Sequence, residues 1–320
     1  LYIRYFDENG EIHALPKYWG MLPIPDYSAN IRYDYWLEAG SPKFETPDEF
    51  YEVLKQLQAA HPTNKAGQRT YALSDYGGGW AMIRCLTGAW GFKDQYFEGP
   101  NNSLTHWMNT PEGLEIVLYV NRIYRDGQLD PDFATNQFEQ FMEKVSNHRV
   151  MGYIGSWWPC WTAGHMSWQK TEPNWTNEMR FINVTIKDPE AEAAYLTPKN
   201  LTGSYRAFIT DKAKKPEDIV KWWNFEISDI GTKITGWGIP YPDKEDSDWY
   251  IKDGISYWKD YVIEGVTAGN YDESKYGNII ARHYWMVAGQ QLLSNGDPRT
   301  GKWVNVWFDQ NFNDLDPGKK

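Results

Sequence analysis

Three times this sequence sets a proline followed by an acidic residue at the head of an amphipathic stretch, and short apolar runs lie between the three. In ETPDEFYEVLKQLQAA (45–60), Thr46 stands as N-cap, Pro47 at the first helical position and Glu49 as the closing member of a capping box. Phe50, Val53, Leu54 and Leu57 then recur at helical spacing. NTPEGLEIVLYVNRIYRDG (109–127) repeats the pattern: Thr110 and Pro111 open it, Gly127 closes it, and Leu114, Val117 and Leu118 are expected on the packed face. KKPEDIVKWWNFEISD (214–229) starts at Pro216 and is expected to bury Ile219, Val220 and Trp223. VMGYIG (150–155), FINVTI (181–186) and RAFIT (206–210) read as strands, and Asn9-Gly10 in YFDENGEIHALPKYW as a hairpin turn. Helices alternating with short strands predict an α/β fold.

Composition narrows the function classes. With 320 residues the chain can form two domains, and its net charge of -11, with no basic cluster, argues against a nucleic-acid partner. No run of 18 apolar residues occurs. Aromatic residues make up 17%, with 18 Trp and 22 Tyr, more large ring surface than a core requires. Such surface suits sugars, whose C–H faces stack on rings while their hydroxyls bond polar groups. The two cysteines, Cys85 and Cys160, could form a disulfide only if their Cα atoms approach closely, so that question stays open.

Catalytic and metal patterns are not found. The six histidines show no ligand spacing, neither cysteine sits in a nucleophile context, and no G-x-S-x-G elbow occurs. Asp130/Asp132 and Asp48/Glu49 fall at a helix end and a helix start, where they serve as turn formers and macrodipole partners. SDYGGGWAMIR (74–84) lacks the Lys-Ser/Thr of a P-loop. Its glycines either let backbone approach a ligand, with Tyr76 or Trp80 beside it, or form a plain flexible loop.

Five segments, in order, carry a resemblance: ENGEIHALPKYW, IRYDYWLEAGSPKFETPDEFYEVLKQLQ, NTPEGLEIVLYVNRIYRDGQLDPDF, FMEKVSNHRVMGYIGSWW and GSYRAFITDKAKKPEDIVKWWNFEISDIGTKITGWG. Together they resemble the extracellular solute-binding proteins of ABC transporters, in the oligosaccharide branch that includes maltose- and alginate-oligosaccharide-binding proteins. The resemblance implies a periplasmic-binding-protein-like (type II) fold, two α/β lobes joined by a hinge and closing on ligand. It assigns 1–22 to the end of the N-terminal lobe, 23–200 to the C-terminal lobe, 201–245 to a return into the N-terminal lobe, and 246–320 to the last C-terminal-lobe helices. The first part of that N-terminal lobe has no counterpart here. HPTNKAGQRTYA, where relatives often carry a calcium loop, offers no carboxylate, so no metal is expected there.

By the same resemblance, Trp157 or Trp158 of MGYIGSWWPCW (151–161) takes the place of a sugar-stacking aromatic. On an extended segment their rings would point to opposite sides, so one faces ligand and the other packs. Tyr18 and Trp19, Tyr76 and Trp80, Arg206, Trp237, and Trp285 of the His283-Tyr284-Trp285 cluster are the further ligand candidates. Core packing, or a surface ion pair for Arg206, is the competing role. The implied function is capture of an oligosaccharide for a membrane permease by a monomeric, extracytoplasmic, often lipid-anchored protein that is not an enzyme and needs no cofactor. A carbohydrate-active enzyme with an aromatic cleft, or a peptide- or lipid-binding protein of the same fold, are the rival readings.

Overall fold

The computed structural model describes residues 9–11, 13–17, 27–93, 95–99, 101, 103–195, 205–237 and 247–267. In chain order the strands and helices begin with β1 (Leu15–Lys17), β2 (Tyr27–Arg32), α1 (Tyr33–Glu38), α2 (Pro47–Ala60), β3 (Tyr71–Leu73) and α3 (Trp80–Ala89). There follow β4 (Tyr96–Glu98), β5 (Leu104–His106), α4 (Pro111–Arg125), α5 (Phe138–Ser146), β6 (Val150–Ser156), α6 (Trp157–Cys160), α7 (Ser167–Thr171) and β7 (Phe181–Val184). The last are β8 (Tyr205–Ala207), α8 (Pro216–Ile227), α9 (Asp229–Trp237), β9 (Trp249–Lys252), β10 (Ile255–Trp258) and α10 (Asp260–Thr267). The described residues separate into two compact units, 27–195 forming one and 9–17 with 205–267 the other.

The larger unit is built on a four-stranded sheet in the order β3-β6-β2-β7. β3 runs parallel to β6, while β2 is antiparallel to both β6 and β7. All seven residues of β6 are buried, as suits a central strand covered on both faces. Gly152 lets α2 close on it: a Cβ there would lie 2.7 Å from both Leu54 methyls. Asn30 ties the pairing internally, its amide donating to the carbonyls of Ser28, Tyr153 and Gly155 at 3.0–3.3 Å.

The helix starts form as their sequence predicts. Thr46 Oγ1 accepts from Glu49 N–H at 3.2 Å while Glu49 Oε2 accepts from Thr46 N–H at 3.0 Å, and Phe50, Val53, Leu54 and Leu57 are buried. Thr110 caps α4 through Gly113 N–H at 3.1 Å. The expected face of α4 is a different matter. Leu114, Val117 and Leu118 are 60%, 48% and 57% exposed, and Gly113, Ile116, Tyr119 and Ile123 form the buried stripe. Two tertiary contacts fix that rotation. A Cβ at Gly113 would strike the Trp107 carbonyl, and the Tyr119 hydroxyl donates to Pro47 O at 2.8 Å. On α8, Trp223 is buried as expected, but Val220 is exposed and Glu226 is buried in its stead.

In the smaller unit β1 pairs antiparallel with β8, so the segment after the Asn9-Gly10 turn finds its partner far along the chain. β9 and β10 form a hairpin closed by Asp253 (φ 53°) and Gly254 (φ 80°), the left-handed pair that a two-residue turn requires. Trp237 packs at 5.6 Å from Trp249 and 4.7 Å from Trp258, and Lys233 reaches Ser256 Oγ at 2.5 Å. These contacts keep 247–267 with 205–237, whereas the family resemblance groups 246–320 with the other lobe. Among the described residues no helix is long and apolar enough to cross a membrane.

At the Arg32 end of β2 the guanidinium is fully buried, 4.2 Å from the Trp168 ring and 4.0 Å from that of Tyr35. It donates to Asp34 at 2.9 and 2.5 Å and to His148 Nδ1 at 3.2 Å. Because a guanidinium only donates, His148 Nδ1 accepts, and the opposite nitrogen carries the hydrogen toward Glu172 Oε1 at 3.0 Å. Lys65 completes the chain on Glu172 Oε2 at 2.5 Å. Burial, then the Arg32 charge, holds the His148 pKa below its ordinary value. The unfolded chain therefore takes up a proton near pH 6.5 that the native state refuses, so this contribution is complete above about 6.5 and is lost as pH falls. His148→Asn, which tolerates the left-handed backbone there (φ 58°), should flatten the acid side of a stability-versus-pH curve measured by urea denaturation. An unchanged slope below pH 6.5 would contradict this.

Candidate functional site

β3 and β6 are parallel neighbours, so their C-terminal ends open on the same edge of the sheet, where α/β folds commonly bind ligands. Beyond β6 the chain turns directly into a helix. Trp157 and Trp158 are its first two residues, placed about 100° apart around an axis rather than on opposite sides of an extended loop. Trp158 is 40% exposed and rests on Phe138, with ring centroids 5.3 Å apart. Trp157 is half-buried. Behind them Trp161–Met166 forms a π-helical turn, in which Trp161 stacks on buried His165 at 4.0 Å. Burial, then Arg180, lowers the His165 pKa to about 4.

Beyond β3 lie Ser74, Asp75 and Tyr76, then Gly77, Gly78 and Gly79, all at positive φ (62°, 81° and 76°). Only glycine accepts three such residues in succession without strain. The Tyr76 ring lies 5.3 Å from Phe138, 5.3 Å from Phe141 and 6.5 Å from Tyr153. Tyr76 and Trp158 thus meet through Phe138 in one aromatic wall. Trp80, on the far side of the glycine turn, opens α3 and is 52% exposed, with the Arg84 guanidinium 5.2 Å from its ring.

Beneath this wall is a buried ion network. Lys144 Nζ reaches Asp130 at 2.8 and 3.0 Å, Asn136 Oδ1 at 2.9 Å and Asp132 at 3.0 Å. Asp130 accepts from Ser74 Oγ at 2.7 Å and Asn136 Nδ2 at 2.9 Å. Asn136 also donates to Asp75 O at 2.9 Å and accepts from Gly77 N–H at 3.1 Å. Burial opposes the Asp130 charge, but bonds from Lys144, Ser74 and Asn136 outweigh it and hold the pKa below the usual carboxylate value. Asp130 is therefore the anchor of the loop, more than the turn former that its position suggests. Among the described residues no cation pairs with Asp75. Its Oδ2 accepts from Met82 N–H at 3.2 Å, Oδ1 has no partner, and burial pushes its pKa up to about 7 against the pull of the Tyr76 and Met82 amides.

Of the remaining candidates, Trp237 is 0% exposed in the smaller unit, and Arg206 stands in β8 opposite Pro16. Tyr18, Trp19, His283, Tyr284 and Trp285 lie outside the described residues. Cys85 and Cys160 are not joined in a disulfide, and burial raises the Cys160 pKa well above its ordinary value. Among the described residues no group of three or more His, Cys, Asp or Glu is placed to hold a metal ion. Sequence reasoning missed Phe138, Asp75 and Tyr153. For Asp75 a signal existed: a carboxylate between an apolar strand and a glycine run.

Solved structures similar in fold to this chain include the alginate-binding protein AlgQ2 without calcium ion, which matches with a TM-score of 0.61 at 17% identity, over 98% of this chain and 58% of its own. The fold is the two-lobe solute-binding fold. A solute-binding protein associated with an ABC transporter from Bifidobacterium longum infantis, named for binding HMO, matches at 0.56 and 14% identity over 98% of this chain and 64% of its own. The S. pneumoniae ABC-transporter substrate-binding protein FusA, in complex with kestose, matches at 0.55 and 15% identity over 78% and 50%. This chain thus spans between half and two-thirds of the length of these three. No family model matches the sequence, and no curated protein does.

The ionic floor makes two stability predictions. Lys144→Met leaves Asp130 buried without its cation and should cost about 3–5 kcal/mol in urea denaturation. Asp75 has a native pKa above its unfolded value, so its favourable contribution is complete below about 4 and gone above about 7. Asp75→Asn should therefore raise the melting temperature at pH 8 relative to the wild type more than at pH 5. Equal shifts at the two pH values would refute a buried carboxyl with a raised pKa.

Proposed function

We propose that this chain is the substrate-binding part of an ABC importer, capturing an oligosaccharide and passing it to a membrane permease. The observation that carries the reading is the aromatic wall of Trp158, Phe138 and Tyr76, with Trp80 beyond the glycine turn, at the C-terminal edge of a sheet with this fold. Ring faces of this kind offer apolar area to the C–H faces of a sugar, while the adjoining turn offers backbone polar groups for its hydroxyls. The oligosaccharide complexes of similar fold support the choice of ligand. Binding acts by differential affinity: the conformer with more ligand contacts is populated when ligand is present. In this reading the protein performs no chemistry, works as a monomer and acts outside the cytoplasm, as a binding protein that feeds an importing permease must.

Tryptophan fluorescence titrations with a panel of oligosaccharides, paired with chromatography of the same mixtures, test it. Saturable quenching with the sugars intact is the expected result, and cleavage products would replace capture by catalysis. Trp158→Ala should weaken binding about ten-fold or more, as loss of an anchoring aromatic does. Trp157→Ala should chiefly lower the melting temperature. Unaltered affinity in both variants would remove the wall from the binding site.

A further inference from the structure

The aromatic wall stands over a carboxyl group whose hydrogen bonding is incomplete. Asp75 has no exposed surface, and its bond to Met82 N–H encloses it within the Tyr76–Gly79 turn. Tyr153 beside it, on β6, also has a buried hydroxyl without a partner, its ring lying over Gly155. The titratable groups facing this pair are the phenol of Tyr76 and the thiols of Cys85 on α3 and Cys160 on α6. None of them supplies a positive charge. Lys144 is engaged by Asp130, Asp132 and Asn136, Arg84 lies over Trp80, and Arg32 is held by Asp34 and His148 at the other end of β2.

A buried carboxylate oxygen without a donor is costly, and folds retain such groups where function completes them. At Gly77 and Gly78 an added Cβ would meet nothing within 4 Å, so the glycine turn that covers Asp75 has no packing on its outer side to hold it.

We propose that Asp75 is the specificity-determining acceptor of this site: with the Gly77–Gly79 turn drawn back and the Tyr76 ring left in the wall, its free oxygen and the Tyr153 hydroxyl bind hydroxyls of a neutral saccharide and reject an acidic one. This deepens the oligosaccharide reading and rests on it. Once Asp75 is ionised, a sugar carboxylate entering here would meet it with no cation between them, a like-charge contact that discriminates by repulsion. Hydroxyl donors favour the ionised carboxylate, so binding of a neutral sugar strengthens as pH rises through about 7, where Asp75 ionises, and releases protons.

The test is a set of fluorescence titrations at pH 6 and pH 8 with neutral fructo-, malto- and galacto-oligosaccharides and with oligoalginates. Wild type, Asp75→Asn and Tyr153→Phe are compared, with circular dichroism confirming that each variant is folded. At least one neutral sugar should bind the wild type, severalfold more tightly at pH 8 than at pH 6, and at pH 8, where Asp75 is ionised, the oligoalginates should not bind. Asp75→Asn should weaken that neutral sugar about ten-fold or more at pH 8 and abolish the pH dependence, with a smaller loss in Tyr153→Phe. Neutral-sugar binding that is indifferent to both substitutions, or oligoalginate binding of equal strength at pH 8, overturns this proposal alone. If no member of the panel binds the wild type, the oligosaccharide reading falls and takes this one with it.

Discussion

The buried pair of Lys144 and Asp130 is the interaction on which the edge of the larger sheet depends. It joins α5 to the segment that follows α4, and through Ser74 and Asn136 it fixes the exit of β3. Without a cation at that point, Asp130 would be a buried charge facing two amide and hydroxyl groups too weak to hold it. With the cation, three chain segments are brought to one place. Tyr76 can then lie against Phe138, and Phe138 can carry Trp158. The wall is aromatic, but its geometry is ionic in origin.

Local signals made much of the fold legible. The capping box at Thr46 and Glu49 and the Thr110 cap involve residues three apart, so sequence spacing contains the whole interaction. The strands at 150–155 and 181–184 were equally readable from apolar runs bounded by polar ones. The rotation of α4 was not. Leu114, Val117 and Leu118 form as good a helical stripe as the one that is buried, and the choice falls to Gly113 against Trp107 and Tyr119 against Pro47. A hydrophobic pattern with two solutions is decided by neighbours that the pattern does not contain.

The site divides in the same way. Tyr76, Trp80, Trp157 and Trp158 could be named from composition and position, because large rings beside strand ends are conspicuous. The turn of Trp157 and Trp158 into a helix was hidden by the proline that follows them, which fits a first helical turn as well as a loop. Lys144 looked like one more surface lysine on an amphipathic helix. Its role rests on partners 8 to 14 residues away along an irregular path, and no spacing rule reports that.

The complete burial of β6 has a consequence for how such a wall can change. A strand paired on both sides and covered on both faces cannot slip by one residue, since slippage would exchange every side chain between the two faces at once. The platform under Trp157 and Trp158 is therefore fixed in register along its whole length. Variation in what the edge receives has to come from exchanging the rings at its tip, Trp158 and Phe138 foremost, while the strand that bears them stays where it is.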